Sequence, residues 1–304
     1  MVADFLPSSA AAIRDVEAIA LLQQLKRRVV TQSYKDIETA YVHTAAERSA
    51  AHTAAIVLLH GFDSSLLEFR RLFPRLATQH ETWAIDLLGS GFTESINVTV
   101  NSQTIRQHLL SLIQTWIKRP VILVGASLGG AVAIDFALHC PDWVRALVII
   151  DSVGFSGSFP VGKALPRPLI ELGADWLHFR KQAALTAALT LPIFDSMLID
   201  AIRCSLLHQE MAGWKEAIVS FTQSGSYGDL SDRIEQVQHP TLILWGKADD
   251  VLGIKDATRF KQVISESQLI WVEKAGHVPH LDQPEAIAAQ LLRFVHKICA
   301  AGRK

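Results

Sequence analysis

Gly125-Ala126-Ser127-Leu128-Gly129 follows the apolar run Pro120-Val121-Ile122-Leu123-Val124 and leads into a helix-like segment that begins with Gly130, Ala131 and Ala133. A strand, a sharp turn carrying a serine and then a helix is the arrangement that lifts a hydroxyl clear of the fold and strains its backbone. Side chains two residues either side of that serine would collide where strand and helix nearly touch, so glycine at 125 and 129 has a steric reason. Glycine and serine also crowd ordinary turns, so the pentapeptide counts because of what flanks it. The stretch reads as a nucleophile turn with Ser127 at its tip.

A serine hydroxyl is a poor nucleophile until a base takes its proton, and that base needs a third group to hold its tautomer. Downstream, Trp245-Gly246-Lys247-Ala248-Asp249-Asp250 follows one apolar run, and Ala275-Gly276-His277 follows the next. Asp250 next door and Asp151, which ends an earlier run, are rivals, and spacing from Gly246 together with the chain order Ser, Asp, His favours Asp249. The preceding glycine favours His277 over His280. A tetrahedral intermediate also needs two preorganised N–H donors. Leu128 offers one at the start of its helix, and Phe62, behind His60-Gly61, offers the other. Asp86, in an Asp-x-x-Gly-x-Gly setting, reads as a carboxylate bonding loop N–H groups, and His60 as a histidine bracing its loop. The remaining histidines lack metal-ligand spacing, so no metal is expected.

Short apolar runs alternate with helical ones along much of the chain. Ala54-Ala55-Ile56-Val57-Leu58-Leu59, Thr82-Trp83-Ala84-Ile85, Val121-Ile122-Leu123-Val124, Ala146-Leu147-Val148-Ile149-Ile150, Thr241-Leu242-Ile243-Leu244-Trp245 and Gln268-Leu269-Ile270-Trp271-Val272 all read as strands. Continuous apolar strands separated by helices mean a parallel sheet covered on both faces. Residues 37–43 alternate like an exposed strand. Ahead of them, Ala18, Leu21, Leu22, Leu25 and Val29 share one helical face, which predicts a helix over residues 18–29. A last helix starts near Pro284-Glu285, with Ile287, Leu291, Phe294 and Ile298 as its buried stripe.

The rhythm breaks between residues 154 and 231. No strand is evident there, and Leu169, Leu172 and Trp176, then Leu198, Ile202 and Leu206, recur at helical spacing. We read an all-helical insertion over the carboxyl ends of the strands, where open α/β sheets bind ligands. Its apolar content suggests an oily pocket roof, with Phe155, Phe159, Trp176, Phe179, Phe194, Trp214 and Phe221 as candidate lining.

Taken in order, several pieces resemble the serine-nucleophile α/β-hydrolase superfamily from Thr53 to the C-terminus: His60-Gly61-Phe62, Asp86-Leu87-Leu88-Gly89-Ser90-Gly91, the Ser127 turn, Trp245-Gly246-Lys247-Ala248-Asp249, and Gly276-His277 leading to Gln283-Pro284-Glu285. The resemblance implies an α/β-hydrolase fold, a mostly parallel central sheet flanked by helices, with a helical cap insertion. It carries Ser127, Asp249 and His277 over as a catalytic triad, with the backbone N–H groups of Phe62 and Leu128 as an oxyanion hole and no cofactor. Epoxide hydrolases and haloalkane dehalogenases of this fold carry Asp at the nucleophile position, so Ser127 argues against their chemistry. Gly253 departs from the pattern, because relatives often have Pro after the acidic turn. The expected activity is a serine esterase cleaving carboxylic esters of a largely apolar substrate through an acyl-enzyme. Two alternatives share the fold: a C–C bond hydrolase of the meta-cleavage product type and a non-enzymatic ligand receptor. Pheophytin-type ester hydrolases are also similar in the Gly-Phe loop and the Ile-Asp-x-Leu-Gly stretch.

Bulk properties narrow the partners. At 304 residues the chain has room for one large core, or a core with a smaller lid. Hydrophobic residues make up 49% and the formal net charge is -1, so no basic field attracts nucleic acid. Cys140, Cys204 and Cys299 are too scattered for a disulfide framework and point to a reducing compartment. Lys and Arg are absent before Arg14, unlike a secretory signal. The apolar stretch 183–194 is interrupted by Pro192 and too short to span a bilayer. The expectation is a cytoplasmic enzyme acting on a small apolar ester or acyl substrate, without a transmembrane segment, with peripheral membrane contact left open. Residues 1–45 are expected to form an N-terminal helical extension and first strand. Residues 46–153 and 232–304 should form the α/β core, and 154–231 the cap.

Overall fold

The computed structural model describes residues 3–32, 35–45, 54–191 and 193–301. Residues 46–53, at the expected junction of extension and core, lie outside the described residues, as does the break expected at Pro192. Eight strands form one sheet: β1 (Lys26–Thr31), β2 (Asp36–Thr44), β3 (Ile56–Leu59), β4 (Thr82–Ile85), β5 (Val121–Ala126), β6 (Val144–Ile150), β7 (Thr241–Gly246) and β8 (Ser267–Val272). Their spatial order is β1-β2-β4-β3-β5-β6-β7-β8. β1 pairs antiparallel with β2 and β2 antiparallel with β4, while β3 through β8 pair parallel. All residues of β3, β4, β5 and β7 are buried, as continuous apolar runs covered on both faces require.

Helices cover the sheet: α1 (Val16–Gln24), α2 (Leu72–Ala77), α3 (Ser102–Leu112), α4 (Leu128–His139), α8 (Lys255–Val263), α9 (Pro279–Asp282) and α10 (Pro284–Ala301). Two apolar layers result, one on each face, the first gathering α3 and α4, the second α1, α2 and α10. Ile287, Leu291, Phe294 and Ile298 of α10 are buried in the second layer, as the sequence pattern requires. Between β6 and β7 the chain forms α5 (Arg167–Thr190), α6 (Ser196–Leu207) and α7 (Trp214–Gln223), and no strand occurs there among the described residues. No helix of the described residues is long and apolar enough to cross a membrane.

One expectation fails near the N-terminus. The helix predicted over 18–29 ends at Gln24, Leu25 turns extended, and Lys26–Thr31 joins the sheet as edge strand β1. Asp15 caps the helix start by accepting from Ala18 N–H at 3.0 Å. The β-branched run Val29-Val30-Thr31 prefers a pleated strand and has period two: Val30 is buried and Val29 is exposed. Arg27 fastens the edge by donating to the Phe92 carbonyl at 2.9 and 2.6 Å.

Candidate active site

The site lies at the carboxyl ends of the parallel strands, where each βα turn presents one group. Ser127 sits between β5 and α4 with φ 50° and ψ -115°, a strained backbone for a non-glycine residue. The flanking glycines are sterically forced: a Cβ on Gly125 would meet Gly129 O at 2.1 Å, and one on Gly129 would meet Leu59 O at 2.0 Å. Asp249 follows β7 and His277 follows β8.

The structure brings these three side chains together. His277 Nε2 lies 3.1 Å from Ser127 Oγ, and His277 Nδ1 lies 3.2 and 3.1 Å from the two carboxylate oxygens of Asp249. Asp249 Oδ1 also accepts from the N–H groups of Val251 at 2.8 Å and Leu252 at 3.1 Å, which fixes its orientation. Asp249 is buried, and its rival Asp250 is exposed. An imidazole with a carboxylate on Nδ1 keeps its Nε2 lone pair facing the hydroxyl, the geometry needed to remove that proton.

Asp151, the other rival, is part of the same cluster. One oxygen each from Asp151 and Asp249 and one ring nitrogen of His277 lie within 4.8 Å of one another. Burial, with Asp249 beside it, pushes the Asp151 carboxyl up to about 9, although Gly246 N–H donates to its Oδ1 at 3.0 Å. Asp151 is therefore a neutral acid near pH 7, offering Asp249 a donor where a second carboxylate would repel it. These three residues are the compact set of possible metal ligands among the described residues. A neutral acid beside a carboxylate that already faces three N–H groups suits a proton network better than a divalent cation.

Phe62 follows β3, and Leu128 is the first residue of α4. Neither backbone N–H has an acceptor among the described residues, and both residues line the cavity that holds Ser127. Glu68 steadies the approach to Phe62 by accepting from Gly61 N–H at 2.9 Å. Burial works to raise the Glu68 carboxyl, but His280, 3.1 Å away, together with the hydrogen bonds from Ser64 and Gly61 N–H, holds the acid at about 2. His60 braces this loop, as its setting suggested: Nδ1 lies 2.8 Å from Gly61 O, and Nε2 accepts from Leu87 N–H at 3.2 Å. Burial pulls His60 down to about 4, so it stays neutral. Asp86 accepts from Leu66 N–H at 2.6 Å and Phe92 N–H at 2.7 Å, and its burial raises it to about 7.

Two cavities meet at Ser127. One of about 690 Å3 runs under the insertion between residues such as Leu169, Leu177, Ile218 and Leu252. The other, of about 400 Å3, adds His277, Arg180, Ser205 and Leu281. Of the aromatic residues expected on the roof, Phe159, Trp176 and Phe221 line the larger cavity. The others are corrections. Phe155 turns away to pack on Phe260, with ring centroids 4.9 Å apart and Arg259 over its face. Phe179 is exposed, and neither it nor Phe194 lines either cavity. Trp214 is buried behind the wall, where its Nε1 donates to Asp63 Oδ1 at 2.9 Å. Helical spacing identified a sided helix and could not say which side met the cavity. For the same reason helical spacing does not mark Leu169, Ile170, Leu177 and Ile218 as lining, although all four line the larger cavity. Asp63 was missed outright, because no motif marks a lone acid one residue after Phe62.

Comparison with known proteins identifies the fold and the family. A profile of the alpha/beta hydrolase family matches residues 56–290. The chain is 32% identical to the alpha/beta hydrolase domain-containing protein VTE7 of Arabidopsis thaliana, over 95% of this chain and 89% of that protein. It is 26% identical to 2-hydroxy-6-oxo-2,4-heptadienoate hydrolase of Pseudomonas putida, over 81% and 89% of the two chains. Identity is also 26% with pimeloyl-[acyl-carrier protein] methyl ester esterase of Vibrio vulnificus, over 80% and 94%. A thermophilic esterase from Thermogutta terrifontis superposes with a TM-score of 0.72 at 20% identity, covering 90% of this chain and 99% of that one. With β3 through β8 parallel, a strained serine turn after β5 and matches spanning nearly its whole length, the chain belongs to the alpha/beta hydrolase family.

Proposed function

We propose that this hydrolase cleaves carboxylic esters of a largely apolar substrate through an acyl-enzyme. One observation carries the reading: His277 bridges Ser127 and Asp249 at hydrogen-bond distance, and Ser127 lies on the floor of an apolar cavity of about 690 Å3. Ser127 Oγ attacks the carbonyl carbon while His277 Nε2 takes its proton. Asp249 stabilises the imidazolium, and the N–H groups of Phe62 and Leu128 receive the oxyanion. Collapse of the intermediate breaks the C–O bond, and His277 returns the proton to the departing alcohol. Water, deprotonated by the same histidine, then releases the acid and restores Ser127. Two cavities meeting at the nucleophile suit an ester whose halves differ, the oilier half lying under the insertion.

An activated nitrophenyl ester tests this directly. The expected result is a burst of nitrophenol equal to the enzyme concentration, together with fluorophosphonate labelling at Ser127. Absence of both refutes the reading. The 26% identity to 2-hydroxy-6-oxo-2,4-heptadienoate hydrolase favours a second reading, hydrolysis of a C–C bond beside a ketone. Faster turnover of a vinylogous diketone than of any simple ester in a series of rising chain length would select it.

A further inference from the structure

The residue after Phe62 makes the densest set of polar contacts around the site. Asp63 has φ 49°, and its buried carboxylate is bonded by side chains of the helical insertion. Its Oδ1 accepts from His208 Nε2 at 3.0 Å, Gln209 Nε2 at 3.0 Å and Trp214 Nε1 at 2.9 Å. Its Oδ2 accepts from Gln209 Nε2 at 2.7 Å and lies 2.8 Å from Lys181 Nζ. Lys181 Nζ also donates to the Asp63 carbonyl at 2.9 Å and to Ser205 O at 3.0 Å. These donors come from α5, from the turn after α6 and from the first residue of α7. Burial opposes ionisation of Asp63, yet the hydrogen bond from His208 and the Lys181 ammonium hold it well below the usual carboxylate range.

Two helices of the insertion, α5 and α7, and the turn between α6 and α7 thus converge on one carboxylate. That carboxylate is joined by a single peptide unit to the residue whose N–H faces the reacting carbonyl in the mechanism above. A buried charge with this many donors is costly to displace, so the turn and the insertion move as one body. We propose that Asp63 is a positioning residue that makes the Phe62 N–H donor depend on the seating of the helical insertion. Asp63 also lines the smaller cavity at Ser127, but its carboxylate is taken up by protein donors, so a role in substrate binding would show in KM and the role proposed here in kcat. It rests on the ester reading, in which Phe62 N–H receives the oxyanion. Preorganised donors act on the transition state more than on the bound ester, so loosening the turn lowers kcat and leaves KM nearly unchanged.

The test compares the full-length wild type with Asp63→Asn, Trp214→Phe and, as a remote control on the insertion, Asp175→Asn. Steady-state kinetics use nitrophenyl butyrate, and butylboronic acid serves as a tetrahedral mimic. Wild-type turnover, abolished in Ser127→Ala, is established first, so failure of the ester reading appears there and failure of the clamp only in the variants. Asp63→Asn is expected to lose about 10- to 100-fold in kcat with KM within threefold, and boronate affinity should fall in parallel. Trp214→Phe, which keeps a ring and removes one donor, should lose roughly 3- to 10-fold in both. It decides the matter if Asp63→Asn does not fold. Asp175→Asn should match wild type. Folded variants with wild-type kcat, or with a defect confined to KM and undiminished boronate affinity, overturn the proposal.

Discussion

At the floor of the cavity, Ser127 is held by backbone: its φ of 50° is enforced by a strand and a helix so close that Gly125 and Gly129 have no room for a Cβ. At the roof, Trp176 and Leu169 are held by one face of α5, and both remain more than half exposed. The floor therefore has one geometry, and on the ester reading proposed above changes there act on chemistry. The roof has a shape that side chains share, and on the same reading changes there act on which substrates fit. Ser127→Ala is the severest test of that division. If Ser127, His277 and Asp249 act as a unit, turnover of any ester falls about a million-fold, or about 8 kcal/mol of transition-state stabilisation. Binding of a non-reactive ester analogue should stay near the wild-type value, read by calorimetry. Loss of binding as well would mean that floor and roof are not separable.

Asp151 probes the floor from behind. In the native protein it keeps its proton up to about pH 9, whereas the unfolded chain releases it near its ordinary value of 3.8. As pH rises through that window the unfolded state loses a proton that the native state retains, so this carboxyl's contribution is complete below about pH 4 and declines toward pH 9. Asp151→Asn removes the titration and keeps a donor for Asp249. Its stability relative to wild type should climb by about 1.4 kcal/mol per pH unit across the window, or about 4 kcal/mol between pH 4 and pH 7. Urea unfolding at several pH values measures it, and a flat difference would place an ionised Asp151 in the native site. Gly129→Ala should cost about 3 kcal/mol or more, because the added methyl meets the backbone carbonyl of Leu59 and neither element can yield. Unfolding midpoints report it.

The same division explains what the sequence could tell. The strand and serine turn were legible because crowding forces glycine at fixed positions, and Asp249 and His277 because each follows its strand by a short turn. Parallel topology was legible in uninterrupted runs such as Ile56 to Leu59, which only a doubly covered sheet can bury. β1 was misread because Leu25 continues a helical stripe up to the residue where the chain turns extended. Asp63 and the protonated state of Asp151 left no local trace. Their roles depend on which distant groups burial brings against them, Lys181 and His208 in one case and Asp249 in the other. The roof failed for a related reason, since helical spacing says that a helix has sides and leaves open what each side meets.

Trp176 and Phe179 make that last point measurable. They stand three residues apart on α5, their ring centroids are 5.7 Å apart, and their exposures are 61% and 59%. By composition, spacing and exposure they are equivalent, yet Trp176 lines the cavity and Phe179 does not. Trp176→Ala should raise KM for long-chain nitrophenyl esters about tenfold, the equivalent of about 1.4 kcal/mol of lost apolar contact, with acetate-ester turnover unchanged. Phe179→Ala should stay within twofold on every chain length. Equal defects in the two variants would mean that the roof works as a general oily surface, and that the wall drawn by the cavity has no bearing on selection. A defect in Trp176→Ala that grows with each added methylene would instead trace the direction in which the substrate's apolar arm lies.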